Sequence, residues 1–241
     1  MHIHLFIPCL VDQAAPETAH ATVRLLERLG HEVHWDRRQT CCGQAPFNAG
    51  FRDEALTLAL RTLYLFEDAE AVVAPSGSCV AMVKHHYGEL DLPSPEREIW
   101  ESLKERTWEL TSFLVDHLRL DDVGAAFPHR VTYHASCHLL RNLGIKDQPL
   151  RLLRSVKGLD LIEGAWGDEC CGFGGVFSVK YPELSRAIAE RRAMALASGA
   201  ADVITGADDS CLHNLSRAFK RIGSPIETLH IAQILASEQS Q

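Results

Sequence analysis

Ala71-Val72-Val73-Ala74-Pro75-Ser76-Gly77-Ser78-Cys79 and Val203-Ile204-Thr205-Gly206-Ala207-Asp208-Asp209-Ser210-Cys211 follow one plan, 132 residues apart. In each, a short apolar run reads as a buried strand, a turn-forming loop follows, and a cysteine stands at the start of a helical segment. The plan extends outward from these two stretches. Cys9 is matched by Cys137 at an offset of 128, and Cys41-Cys42-Gly43 by Cys170-Cys171-Gly172 at 129, so all eight cysteines belong to one duplicated scheme. Two four-thiol sets, each with a vicinal pair, point to soft-metal or redox chemistry.

Around these anchors the chain alternates short apolar runs with helical patterns. Strands are predicted at 3–7, 32–35, 71–74, 131–134, 159–162, 203–205 and 226–229, and helices at 16–29, 51–67, 79–87, 148–156, 182–197, 210–221 and 231–236. Pro16 suits a first helical turn and Gly30 a helix stop. Such alternation predicts an α/β fold with mostly parallel sheets, because parallel neighbours need crossover connections. The chain divides into two pseudo-symmetric Rossmann-like halves, 1–92 and 129–241, joined by a connector at 93–128. Pro93 and Pro95 interrupt any helix at the start of that connector, and 97–120 reads as helical. Every cysteine group then lies beyond the carboxyl end of a strand, where open α/β sheets place ligands, and three loops converge on one crevice in each half.

With 46% hydrophobic and 23% charged residues over 241 positions, the composition is that of an ordinary globular chain. The net charge of -8, with 24 basic residues against 32 acidic ones and no basic stripe, argues against nucleic-acid binding. The apolar start at 2–10 has no basic segment before it and reads as a strand rather than an export signal, and no run approaches the ~20 apolar residues of a membrane span. The expected compartment is the reducing cytoplasm. There, metal ligation or catalytic thiol chemistry is a better use of cysteine than structural disulfides.

Both sulfurs of a vicinal pair reach one site only if the backbone turns, which Gly43 and Gly172 permit. An adjacent pair fits a single tetrahedral zinc poorly, whereas a polynuclear iron-sulfur cluster offers a different iron to each thiolate. Zinc stays open as the alternative. Gly172-Phe173-Gly174-Gly175 lacks the spacing of a dinucleotide-binding loop. His134 and His138 flank Cys137 and are candidates for ligation, for a supporting hydrogen bond, or for no more than a polar strand end. Asp208-Asp209 offers a general base or, as the preferred reading, a cap on the following helix. No Ser-His-Asp, His-Glu-x-x-His or Walker pattern occurs, which favours electron transfer over substrate chemistry and leaves no catalytic residue to name.

Cys9-Leu10-Val11-Asp12, Cys41-Cys42-Gly43-Gln44, Pro75-Ser76-Gly77-Ser78-Cys79 and Cys170-Cys171-Gly172-Phe173-Gly174-Gly175 together resemble the cysteine-rich CCG-domain family. The family includes the B subunit of heterodisulfide reductase and the iron-sulfur subunit of glycolate oxidase. The resemblance implies an iron-sulfur subunit, with one or two clusters of the 4Fe-4S type, in a cytosolic system that oxidises L-lactate to pyruvate with other iron-sulfur and accessory subunits. Its implied ligands are Cys9, Cys41, Cys42 and Cys79 in one half and Cys137, Cys170, Cys171 and Cys211 in the other, with zinc in one half as the alternative. Relatives with a fifth cysteine per half carry it where this chain has Ser76 and Asp208, so four thiols per half are expected. The competing readings are a zinc-stapled scaffold, a glycolate- or heterodisulfide-type subunit and, ranked lowest, thiol-disulfide exchange.

Overall fold

The fully buried runs Ala71–Ala74 and Val203–Gly206 are central strands of two parallel sheets in a computed structural model that describes residues 1–162 and 169–238. The first half comprises β1 (His2–Leu5), α1 (Cys9–Ala14), α2 (Pro16–Arg28), β2 (Glu32–His34), α3 (Gln44–Ala49), α4 (Arg52–Phe66), β3 (Ala71–Ala74), α5 (Gly77–Lys84), α6 (Ser94–Arg106), β4 (Thr107–Glu109) and α7 (Leu110–Ser112). The second comprises β5 (Arg130–Tyr133), α8 (Gln148–Ser155), β6 (Asp160–Leu161), α9 (Val176–Lys180), α10 (Pro182–Ala197), β7 (Val203–Gly206), α11 (Asp209–Arg221), β8 (Glu227–His230) and α12 (Ile231–Leu235). Strand orders β2-β1-β3-β4 and β6-β5-β7-β8 are the same arrangement twice, and every pairing is parallel. The α/β class with two Rossmann-like halves is as the alternation predicts.

The stretch read as a helical connector holds a strand. β4 pairs with the open edge of β3, Thr107 opposite Val72, directly after α6. Three residues, Thr107-Trp108-Glu109, are too few to display a period of two, and their conformation is imposed by the ladder they complete. The short helices α1, α3 and α9 were likewise outside the expected set, because five or six residues show no helical period.

Side chains of β3 alternate between two cores, as a pleated strand requires. Ala71 and Val73 face a core shared by both halves, where Ile3, Leu25 and Phe113 pack with Val131, Leu152, Val203 and Ile234. Val72 and Ala74 face the outer core of the first half, with Phe66, Met82 and Leu103. In the second half Ile204 packs outward with Leu196, Leu215 and Phe219. Among the described residues no helix is long and apolar enough to cross a membrane.

The two central strand-helix loops meet across the pseudo-two-fold. The Gly77 amide donates to the Ala207 carbonyl at 3.3 Å, and the Ser78 amide to Oδ2 of Asp208 at 2.8 Å. Contrary to the expectation from sequence that Asp208 caps the helix after it, its side chain makes no capping bond to α11. It caps α5 of the other half instead, beside Ser76, whose hydroxyl accepts from the Cys79 amide at 3.3 Å. Sequence shows only the local helix as a client for Asp208, and the other client lies 130 residues away.

Asp208→Ala is expected to leave the Ser78 amide buried without an acceptor, costing about 1–3 kcal/mol in urea unfolding, with Asp208→Asn losing less because it keeps an oxygen there. Glu109, fully buried while its carboxylate caps α7, has its pKa raised by burial from 4.5 to about 7. A raised carboxyl pKa favours the protonated folded form, so this group's contribution is complete below pH 4.5 and declines as pH rises to about 7. Glu109→Gln should remove that part of the slope from unfolding curves measured between these limits.

Candidate metal centre

The turn that makes each vicinal pair usable is a left-handed glycine. Gly43 has φ +87° and Gly172 φ +79°, and a Cβ there would meet the Ala55 carbonyl at 3.2 Å and the Ser185 carbonyl at 2.7 Å. Each glycine amide reaches back to the first cysteine of its pair, Gly43 to Cys41 Sγ at 3.4 Å and Gly172 to Cys170 Sγ at 3.3 Å. The second cysteine of each pair turns inward. Cys42 Sγ lies 3.4 Å from Cys79 Sγ, and Cys171 Sγ 2.8 Å from Cys211 Sγ. Carbonyls of the buried cysteines are held too: Tyr87 Oη donates to Cys42 at 2.9 Å, and Asn214 Nδ2 to Cys171 at 2.8 Å.

Cys79 and Cys211 occupy the first turns of α5 and α11, where backbone N-H groups face incoming negative charge. Cys9 opens α1, and Cys137 precedes a π-helical turn at His138–Asn142. All eight thiols are free. Cys42, Cys79, Cys171 and Cys211 are buried, Cys41 and Cys137 partly so, and Cys9 and Cys170 are exposed.

All eight line one cavity of ≈ 380 Å³. Pro8, Phe173, Val176 and Val179 add apolar wall, and Ser76, Ser78, His138, Asp208 and Asp209 add polar atoms. This differs from the separate crevice in each half that the sequence predicts. The halves face each other so that the carboxyl ends of both sheets open into the same space, and this orientation depends on the shared core rather than on any local pattern.

Electrostatically each set has one anchor. Cys41 is pulled down to about 2 by hydrogen bonds from the Cys42 and Cys9 thiols, aided by the Gly43 and Ala45 amides. Cys170 is pulled down to about 2 by the Cys137 and Cys171 thiols and the Gly172 amide. As donors, Cys9, Cys42, Cys137 and Cys171 are pushed up, with burial adding to the shift. A metal replaces such shared protons, since thiolates are the ligating form. The donor set, eight unbridged sulfurs in two four-thiol groups, suits soft metals and iron-sulfur ligation.

Four further candidates lie at or beside the cavity. Ser76 and Asp208 spend their oxygens on α5, and Asp208 Oδ1 also accepts from Ser210 Oγ at 2.8 Å. His138 Nδ1 stands 3.6 Å from Cys137 Sγ, its pKa lowered by burial. His134 lies beneath the second set: a ring nitrogen and the Cys171 and Cys211 sulfurs are all within 4.8 Å of one another. Burial, then the nearby Arg192 charge, lowers its pKa to about 3, so the ring is neutral. Asp209 is raised to about 7 by burial. Arg192 was missed. Its signal is a charge on the buried face of α10, in line with Ser185, Ala189, Ala193 and Leu196.

A glutamate racemase from Bacillus anthracis aligns over 97% of this chain and 78% of its own at 10% identity with a TM-score of 0.43, too weak a likeness to bear on function. Sequence relatives are much nearer. Lactate utilization protein A of Geobacillus kaustophilus is 45% identical over 239 residues, 98% of each chain, and its Bacillus licheniformis counterpart is 44% identical over 238 residues, 98% of this chain and 100% of the relative. The cysteine-rich domain (CCG) family model matches twice, at 3–84 and 131–216, once on each cysteine set. With both halves matched, every cysteine but none of the α6-to-α7 stretch falling inside the matches, the chain belongs to the cysteine-rich CCG-domain family.

Proposed function

We propose that this chain is an electron-transfer subunit in lactate utilization, holding an iron-sulfur cluster on each of its two cysteine sets. The observation that carries the reading is the convergence of all eight free cysteines on one cavity, where each set repeats the same glycine turn and the same inward pair. The near full-length similarity to proteins named Lactate utilization protein A supplies the pathway. The working location is the cytoplasm, and the partners are other iron-sulfur and accessory subunits of a lactate-oxidising complex.

Oxidation of lactate to pyruvate releases two electrons and two protons. A partner subunit would hold the hydroxy acid, and this chain would receive the electrons one at a time. Cys9, Cys41, Cys42 and Cys79 would bind the first cluster and Cys137, Cys170, Cys171 and Cys211 the second. When bound, such clusters supply reversible one-electron chemistry. The protein's part is to exclude water from the buried sulfurs, to present the Gly43 and Gly172 amides to sulfur, and to hold the loops fixed through Asp208 and Ser76.

One observation favours a second reading, zinc in the second half only: the buried trio His134, Cys171 and Cys211 has the reach of a zinc site. Metal and acid-labile sulfide analysis of anaerobically purified protein separates the two. The cluster reading expects iron and sulfide in wild type and loss of about half of each in both Cys42→Ser and Cys171→Ser, the share of one site in two. Zinc without sulfide would overturn it, and an effect from only one variant would confine the cluster to one half.

A further inference from the structure

The two halves share a scaffold but not the floor beneath the buried sulfurs. Phe6 and His134 are structural equivalents: each extends the first strand of its half, with its amide donating to the central strand, Phe6 to Val73 at 2.9 Å and His134 to Thr205 at 2.7 Å. The helices α4 and α10 correspond as well, because the Ala55 and Ser185 carbonyls stand against the equivalent glycines Gly43 and Gly172. Seven residues further on, both helices bury a polar side chain, Thr62 in α4 and Arg192 in α10. Where the first half has Phe6 and Thr62, the second therefore has His134 and Arg192. Both of the latter are only 1% exposed.

A guanidinium Nε can only donate, so the ring nitrogen facing it offers a lone pair and the ring of His134 carries one N-H. Arg192 Nε donates to Nδ1 at 3.4 Å, which makes Nδ1 the acceptor and leaves the proton on Nε2. Nε2 is buried and has no partner among the described residues. The sulfurs of Cys171 and Cys211 are the acceptors the ring faces: one of its nitrogens and both sulfurs lie within 4.8 Å of one another, with no hydrogen bond yet formed from Nε2. The same arrangement disfavours metal ligation, which needs a lone pair where Arg192 has placed a proton.

We propose that His134, positioned by Arg192, keeps its unpartnered Nε2-H for the Cys171 and Cys211 sulfurs, hydrogen-bonds to them once a cluster is bound there, and makes the second cysteine site more easily reduced than the first. This rests on the cluster reading above. Hydrogen bonds to sulfur withdraw electron density and move a cluster's potential upward. Phe6 offers no such donor, so the first site has the lower potential and electrons run from the first half to the second. His134 is a positioning and tuning residue on this account and takes no part in substrate chemistry.

Two measurements test it. In metal-free protein labelled with 15N-histidine, the shifts of His134 should report the Nε2-protonated tautomer, and the Nδ1-protonated form would overturn the proposal whatever metal the protein holds. In iron- and sulfide-loaded protein, redox titration followed by electron paramagnetic resonance should resolve two transitions, the upper one absent from Cys171→Ser. His134→Leu should retain its iron and sulfide yet lower that upper transition about tenfold in its equilibrium with a one-electron mediator, equivalent to ~59 mV. His134→Gln, which keeps an N-H donor, should recover most of the shift. Unchanged potentials at full iron and sulfide would overturn the proposal and leave the cluster reading intact. Loss of iron from both variants would make His134 a ligand and overturn it too. Wild type devoid of iron and sulfide would sink the cluster reading and this proposal with it, whichever tautomer is found.

Discussion

The bond from the Ser78 amide to Asp208, reinforced by that from Gly77 to the Ala207 carbonyl, ties together the two loops that present Cys79 and Cys211. Parallel strands must end on the same side of their sheet, and each half brings three cysteine loops to that side. Left to themselves these would be two unrelated rims. The shared core turns the rims toward each other, and the Asp208 carboxylate, 3% exposed, fixes their separation while satisfying an orphan amide at the start of α5. A cysteine is useful as a ligand only if its sulfur is held within about 0.5 Å of its place, and this capped interface is what holds Cys79 and Cys211 relative to each other.

Duplication explains why the two sets look alike, and burial explains where they differ. The glycine turn, the inward second cysteine and the first-turn cysteine on the central helix recur because each is a backbone solution to the same placement problem. Side chains that only fill space are under no such constraint. Tyr87 supports Cys42 from one helix and Asn214 supports Cys171 from another, while His134 and Arg192 stand where Phe6 and Thr62 fill the first half. Burying a neutral histidine against a guanidinium costs desolvation that Phe6, with Thr62 bonded to its own helix at the Leu58 carbonyl, avoids. Its presence in the second half, where the first has Phe6, is the difference on which the proposed gap in potential rests.

Much of this was legible from the chain. The doubled Cys-Cys-Gly and the alternation of runs such as 71–74 with helices such as 182–197 give the α/β class, the pseudo-symmetry and the cysteine loops, because these are local patterns at known periods. β4 was not legible, since a three-residue strand is defined by the edge it joins. Nor was the union of both sets in one cavity, nor the service Asp208 gives to a helix 130 residues away, for both depend on how the halves dock. Arg192 could have been noticed as a charge on an otherwise apolar helix face, but its partner His134 is visible only in three dimensions.

The central claim is that two cysteine sets act as two metal sites within one cavity. Magnetic interaction between the sites tests it most directly. Electron paramagnetic resonance of the fully reduced, anaerobically loaded protein is expected to differ from the sum of the spectra of Cys42→Ser and Cys171→Ser, with broadening or splitting from two spins held on the walls of one cavity. A wild-type spectrum equal to that sum, or identical to the spectrum of either variant, would contradict the account.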